Sequence, residues 1–280
     1  MHDTAYEHGR LFFDLYWRPE FRQVVELGSQ NVNGTLRDHC PPGANYLGLD
    51  MAPGAGVDLV VDPARPLPLA DASADVIVTS SAFEHDACFW QTFVELARIL
   101  KPGGFLYVNA PSNHHFHRYP VDCWRFYPDA GHALALWSRR SGISVEVVES
   151  FIGKPGPTGW ADFVAVFRRA STEPLRRKDR MARLVPALNV YDIEAPDALE
   201  ARSSATWDGR RAAELESRLA RAEEELAAVR AARADAETRL EATGQELAFA
   251  TARLARIENA GFTRRLKALL PGRDAAGRRR

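Results

Sequence analysis

The sequence is poor in cysteine, with three in 280 residues: Cys40, Cys88 and Cys123, none in a C-x-x-C pair. An odd number of widely spaced thiols argues against a disulfide framework or a zinc site and fits reduced thiols in a cytosol. Long apolar runs are missing too. Nowhere do about 18 apolar residues follow one another, so no membrane-spanning helix is expected. The opening segment, MHDTAYEHGRLFFDLYWRPEF, carries acids and no uninterrupted apolar core of signal-peptide length, so a cytoplasmic location is expected. Neither sign of charge is in excess, and a formal net charge of −1 gives no global argument for binding nucleic acid or membranes. Glycine is scarce where a phosphate would be cradled. In VVELGSQNVNG (residues 24–34), Gln30 and Val32 stand where a G-x-G-x-x-G or G-x-G-x-G pattern would carry further glycines.

What is present is unevenly distributed. Trp, Tyr and Phe crowd the first 170 residues, whereas Ala, Arg, Glu and Leu dominate from about Gly209 onward. One packed domain followed by an elongated segment is expected. Within the first part, strand candidates lie at 23–27, 46–50, 57–61, 74–79, 105–110, 145–151 and 162–167, several of them nearly continuous apolar runs (VDLVV, ADVIV, FLYVN). Such runs suit strands covered on both faces. Helix candidates at 35–40, 89–100 and 128–141 alternate with them, which argues for a doubly wound, mostly parallel sheet. The last two strands are joined by GKPGPTGWA without a helix, and an antiparallel terminal pair is expected. Residues 171–208, broken by Pro174, Pro186 and Pro196 and carrying the basic cluster RRKDR (176–180), read as a linker that partly packs on the domain.

Three strand ends carry polar residues suited to a nucleoside. Glu26 closes the first strand, and Gly28 turns the chain where a side chain would block a ligand. Asn31, Asn33 and Gly34 tolerate turn conformations before the next helix begins. Asp50 ends YLGLD about twenty residues beyond the Gly28 turn, an offset suited to accepting hydrogen bonds from both ribose hydroxyls. Asp62, at the end of VDLVVD, either meets an adenine edge or caps its own loop.

The succession VVELGSQNVNG, YLGLD, LPLADASADVIVTSSAFEH and ELARILKPGGFLYVNAP resembles the class I S-adenosylmethionine-dependent methyltransferases, in particular the type-11 group, over residues 20–169. The resemblance implies a Rossmann-like seven-stranded methyltransferase sheet and S-adenosylmethionine as cofactor. It implies that Glu26 and Gly28 lie at the methionine end, with 29–34 wrapping it (Ser29 and Gly34 included). It further implies that Asp50 takes the ribose, Met51 packs on the adenine, Asp62 reaches its amino group, and Ser80 and Ser81 line the inner side. A dehydrogenase would need tight glycines for a pyrophosphate. S-adenosylmethionine has no phosphate, so the missing glycines favour the methyltransferase. A methyltransferase-like scaffold without turnover, working through its C-terminal segment, is the alternative.

Two segments that follow strand ends are candidates for the acceptor pocket: AFEHDACFW (82–90) and APSNHHFHRYPVDCWRFYPDA (110–130). Their mix of rings, Arg, Asp and His suits a small-molecule or glycan acceptor, with transfer expected at oxygen. His85 and His115 are the candidate bases, with Asp122 as base or orienter, because a hydroxyl must lose its proton near neutral pH. No metal is expected from H-H-x-H: adjacent histidines diverge in an extended chain, and no carboxylate cluster accompanies them at suitable spacing.

The C-terminal segment shows a heptad from 211 to 258. Its a positions are Ala212, Leu219, Leu226, Arg233, Leu240, Leu247 and Leu254, and its d positions are Leu215, Ala222, Val229, Ala236, Thr243, Ala250 and Ile257. A coiled coil over 209–260 is expected, mediating self-association or pairing with a partner helix. The remainder, 261–280, reads as a basic, disordered tail, with weak contact to an anionic membrane surface as the alternative.

Overall fold

Every residue of ADVIVTS in the fourth strand is buried, as is nearly all of the following strand, so this pair forms the centre of a sheet covered on both sides. The strands are β1 (Gln23–Leu27), β2 (Asn45–Asp50), β3 (Leu59–Val60), β4 (Ala74–Ser80), β5 (Leu100–Pro111), β6 (Val145–Gly153), β7 (Asp162–Arg169) and β8 (Ala187–Asp192). The computed structural model describes residues 2–175 and 179–269. Part of the basic cluster (176–178) and part of the expected tail (270–280) lie outside the described residues.

The sheet order is β3-β2-β1-β4-β5-β7-β6-β8. Strands β3, β2, β1, β4 and β5 run parallel, and β7, β6 and β8 add antiparallel neighbours. The side-chain period of two sorts the core. Val24, Val76 and Val78 join one apolar cluster with Leu11, Phe12 and Phe13 of α1 (Asp3–Tyr16). Val25 and Ile77 join another with Phe93 and Leu96 of α2 (Phe89–Ile99) and Leu134 of α3 (Asp129–Arg140). This is the expected doubly wound arrangement with its terminal antiparallel pair.

Several local expectations change. Helix α1 is additional to the helices read from the sequence. It is fixed by Asp162 in β7, a fully buried carboxylate that accepts hydrogen bonds from His2 at 2.6 Å and His8 at 2.9 Å. Burial alone would raise its pKa, but the two imidazoles overrule that and hold it well below the usual carboxylate range. The helix expected at 35–40 is a single 3-10 turn, Leu36–His39, with the Thr35 hydroxyl accepting from the Arg37 amide. Pro41 and Pro42 stop it there. The strand expected at 57–61 shrinks to β3 because Asp58 is drawn aside to accept from the Gly48 amide at 2.7 Å and to pair with Arg37.

The stretch read as a linker contributes β8, an eighth strand beyond the expected seven. Glu149 of β6, fully buried, accepts from the amides of Met181 at 2.9 Å and Ala182 at 3.0 Å and from the Tyr16 hydroxyl. Arg180, also buried, donates to Asp192 at 3.1 Å. Polar residues that read as solvated in sequence are therefore the attachment points. The chain divides into two compact units, Met1–Arg211 and Ala212–Arg280. One helix, α4 (Trp207–Leu269), makes up the described part of the second and runs past the boundary expected at 260.

Candidate active site

In an open parallel sheet, ligands bind beyond the carboxyl ends of the strands where the strand order reverses. Here that point lies between β1 and β4. A cavity of about 1060 Å³ opens there, lined by Glu26, Gly28, Ser29, Asp50, Ser80, Ser81, Glu84, His85, His117 and Trp160 among others.

On the β1–β2 side, Glu26 is 2% exposed, and its Oε2 accepts from the Tyr46 hydroxyl at 2.8 Å. Burial pushes its carboxyl up to about 7, against the opposing pull of Tyr46 and Arg37. Gly28 sits at φ +82°, and a Cβ there would lie 2.7 Å from the Ala82 Cβ, so the turn can be made only by glycine. The amides of Gly28 and Ser29 both donate to the Leu49 carbonyl, at 2.9 and 3.1 Å, closing the turn onto β2. Gly34, at φ +117°, donates to Asn31 Oδ1 at 3.0 Å. Asp50 accepts from the Gln30 amide at 3.0 Å and the Met51 amide at 2.7 Å, which orients its carboxylate while leaving lone pairs for further donors. Met51 lines the cavity and is 44% exposed. Asp62 stands in the loop after β3 and is not on the cavity wall. It caps its own loop by accepting from the Ala64 amide at 2.9 Å, and the cavity wall is instead formed by Val61, Pro63 and Leu67.

Ser80 and Ser81 lie at the end of β4, and Ser81 holds a left-handed φ of +53°. The hydroxyls of Ser29 and Ser80 are buried without a hydrogen-bond partner, a condition that a bound polar ligand relieves. The donor set is thus a buried acid, a side-chain-free turn, a second acid on the neighbouring strand, apolar walls and two unpartnered hydroxyls. It fits a positively charged amino-acid nucleoside.

On the β4–β5 side, His85 donates from Nδ1 to the Val121 carbonyl, which leaves the Nε2 lone pair free. Nε2 lies 3.7 Å from Oε1 of Glu84, and the His117 ring lies 4.9 Å from that of His85. His115 is not brought to this group: it is exposed, stacks edge-on against His114 and is absent from the cavity wall. Asp122 is engaged on both oxygens. Arg125 grips both of its oxygens, at 2.6 and 2.9 Å, and holds its carboxyl at about 2, and the His117 amide donates to it at 2.7 Å. Reading the sequence alone overlooks Glu84, His117, Tyr46 and Trp160. The pair Glu84-His85 and the last histidine of H-H-x-H were visible, but they are brought together only because β4 and β5 are adjacent.

Residues 28–108 match the family model described as a methyltransferase domain. The chain carries a methyltransferase domain over these residues. The cofactor of this methyltransferase is S-adenosylmethionine, and its reaction is methyl transfer. No curated protein matches the sequence. Among solved structures, it is similar to a chain of the complex between the Haloferax volcanii Trm112 methyltransferase activator and a methyltransferase (21% identity, 60% of this chain and 89% of that one, TM-score 0.43). It is also similar to the Burkholderia thailandensis 1,6-didemethyltoxoflavin-N1-methyltransferase with bound 1,6-didemethyltoxoflavin and S-adenosylhomocysteine (13% identity, 60% and 77%, TM-score 0.45). A third is an S-adenosylmethionine-dependent methyltransferase from Archaeoglobus fulgidus (12% identity, 59% and 93%, TM-score 0.45).

Proposed function

We propose that the methyltransferase acts on a hydroxyl of a small polar or glycan-type acceptor bound over the ends of β4 and β5. The observation that carries this reading is the single cavity shared by the Glu26–Asp50 side and the Glu84–His85–His117 cluster. When bound, S-adenosylmethionine supplies an electrophilic methyl group on a positively charged sulfur. Glu26 holds the cofactor's amino group, the Gly28 turn allows close backbone approach, and Asp50 accepts from the ribose hydroxyls. Ser29, Gly34, Met51, Ser80 and Ser81 complete the wall, and Asp62 acts by bracing the loop beside it. The cluster around His85 would take the acceptor hydroxyl's proton, while the Glu26–Asp50 side would hold the methyl donor in line with the acceptor oxygen. Alignment and exclusion of water supply much of the acceleration in such a transfer. Tyr119 and Trp160, both on the cavity wall, offer ring faces to a sugar. The test is release of S-adenosylhomocysteine from the full chain with a panel of mono- and oligosaccharides and matched amines. Turnover with hydroxyl acceptors that is lost in His85→Ala is expected, and turnover confined to amines would overturn the oxygen assignment.

The heptad stripe on α4 supports self-association. Leu219, Leu226, Leu240, Leu247 and Leu254 are all exposed along one chain, and a helix this long with a bare apolar seam is stabilised by a second one. The partner read from this pattern is a second copy of the same helix.

A further inference from the structure

Three side chains that can bind a metal converge at the acceptor side of the cavity. One ligand atom from each of Glu84, His85 and His117 lies within 4.8 Å of the other two. Glu84 is 1% exposed, and its Oε2 is buried without a hydrogen-bond partner, while Nδ1 of His117 makes no hydrogen bond and has only the Asp122 carboxylate beside it, at 3.3 Å. Neither atom makes a hydrogen bond, and buried polar atoms in a folded core are nearly always satisfied. The third, Nε2 of His85, is kept free because Nδ1 is committed to the Val121 carbonyl, the outer-sphere arrangement that fixes the tautomer of a metal-bound imidazole.

We infer that Glu84, His85 and His117 bind a divalent cation of the zinc class, with a fourth coordination position open to the cavity. Two imidazoles and one carboxylate around an open position are the donor set of catalytic rather than structural zinc sites. In such a site the bonds are about 2.0–2.2 Å and the ligand atoms about 3.4 Å apart. Glu84 Oε1 and His85 Nε2, 3.7 Å apart, are already close to this, and all three ligand atoms lie within 4.8 Å of one another. Asp122, 3.3 Å from His117 Nδ1, adds outer negative charge that Arg125 balances.

The inference rests on the acceptor reading only for the cation's role. The open position would receive the acceptor oxygen, and the cation's charge would lower that hydroxyl's pKa so that its proton leaves to water at the cavity mouth rather than to a metal-bound imidazole. The site itself stands on the three side chains alone.

The test uses the full chain stripped with a chelator and titrated with Co²⁺, whose visible absorption reports coordination by nitrogen and oxygen. One equivalent should bind, and Glu84→Gln and His117→Asn should each weaken binding by at least tenfold, since even outer-shell changes cost about 10–100-fold. His115→Ala, outside the cluster, should leave it unchanged. Calorimetric titration with S-adenosylmethionine, retained in all three variants, verifies their folds. No visible band in the parent, or the same band in Glu84→Gln and His117→Asn, would overturn the site while leaving the cofactor reading intact. Failure of the parent to bind S-adenosylmethionine would strike the cofactor reading and leave the Co²⁺ result to be judged alone.

Discussion

Replacing Glu26 by Gln removes a buried negative charge while keeping an acceptor for the Tyr46 hydroxyl. Glu26 is raised from 4.5 to about 7, so between these two values the native state holds a proton that the unfolded chain has released. Stability of the ligand-free protein therefore falls as pH rises from 4.5 to about 7 and is flat on this account outside that window. The whole shift corresponds to about 3 kcal/mol at 1.36 kcal/mol per pKa unit. Urea unfolding of parent and Glu26→Gln across this range isolates the effect: the parent should lose about 3 kcal/mol relative to the variant on going from acid to pH 8. Cofactor binding should run the opposite way. The amino group of S-adenosylmethionine stays charged below about pH 7, and it needs the ionised carboxylate. Parent affinity should then drop roughly tenfold per pH unit below 7, a dependence absent in Glu26→Gln. A parent-minus-variant difference that does not change with pH would refute the reasoning.

Further predictions test the scaffold. Gly28→Ala meets both the left-handed φ and the 2.7 Å approach to Ala82, and should cost about 1–3 kcal/mol in urea unfolding and abolish cofactor binding. Glu149→Ala leaves the Met181 and Ala182 amides and the Tyr16 hydroxyl without their acceptor. It should destabilise the first unit by about 2–4 kcal/mol, read as a lowered denaturation midpoint. Leu226→Glu with Leu240→Glu should convert an oligomer to a monomer in light scattering without altering cofactor affinity, whereas an unchanged mass would reject the heptad seam as the interface.

The central architecture was legible because its signals are local. Apolar runs such as ADVIV are read directly as buried strands, and the helix at 89–99 follows from its spacing. Other parts depended on partners distant in sequence. Helix α1 and β8 are held by Asp162 and Glu149, buried carboxylates whose histidine and amide partners come from far along the chain. An isolated charged residue in sequence gives no sign that it will be satisfied in a core. The same limit applies at the site. Glu26, Gly28 and Asp50 stand at the strand ends where the sequence places them, and Asp62 caps its own loop through the Ala64 amide. The cluster of Glu84, His85 and His117 joins residues from two crossovers. In H-H-x-H, His115 stays outside the cavity while His117, two residues on, turns in to meet Glu84 and His85, a grouping that the spacing of the motif does not announce.

Calorimetric titration of S-adenosylmethionine into the full chain, run beside Asp50→Ala, tests the central claim most directly. The parent should bind one equivalent, and Asp50→Ala should bind about 10–100-fold more weakly, as expected for losing hydrogen bonds to a charged acceptor worth about 1.5–3 kcal/mol. No binding by the parent at millimolar ligand, or equal affinity in the two proteins, would contradict the account.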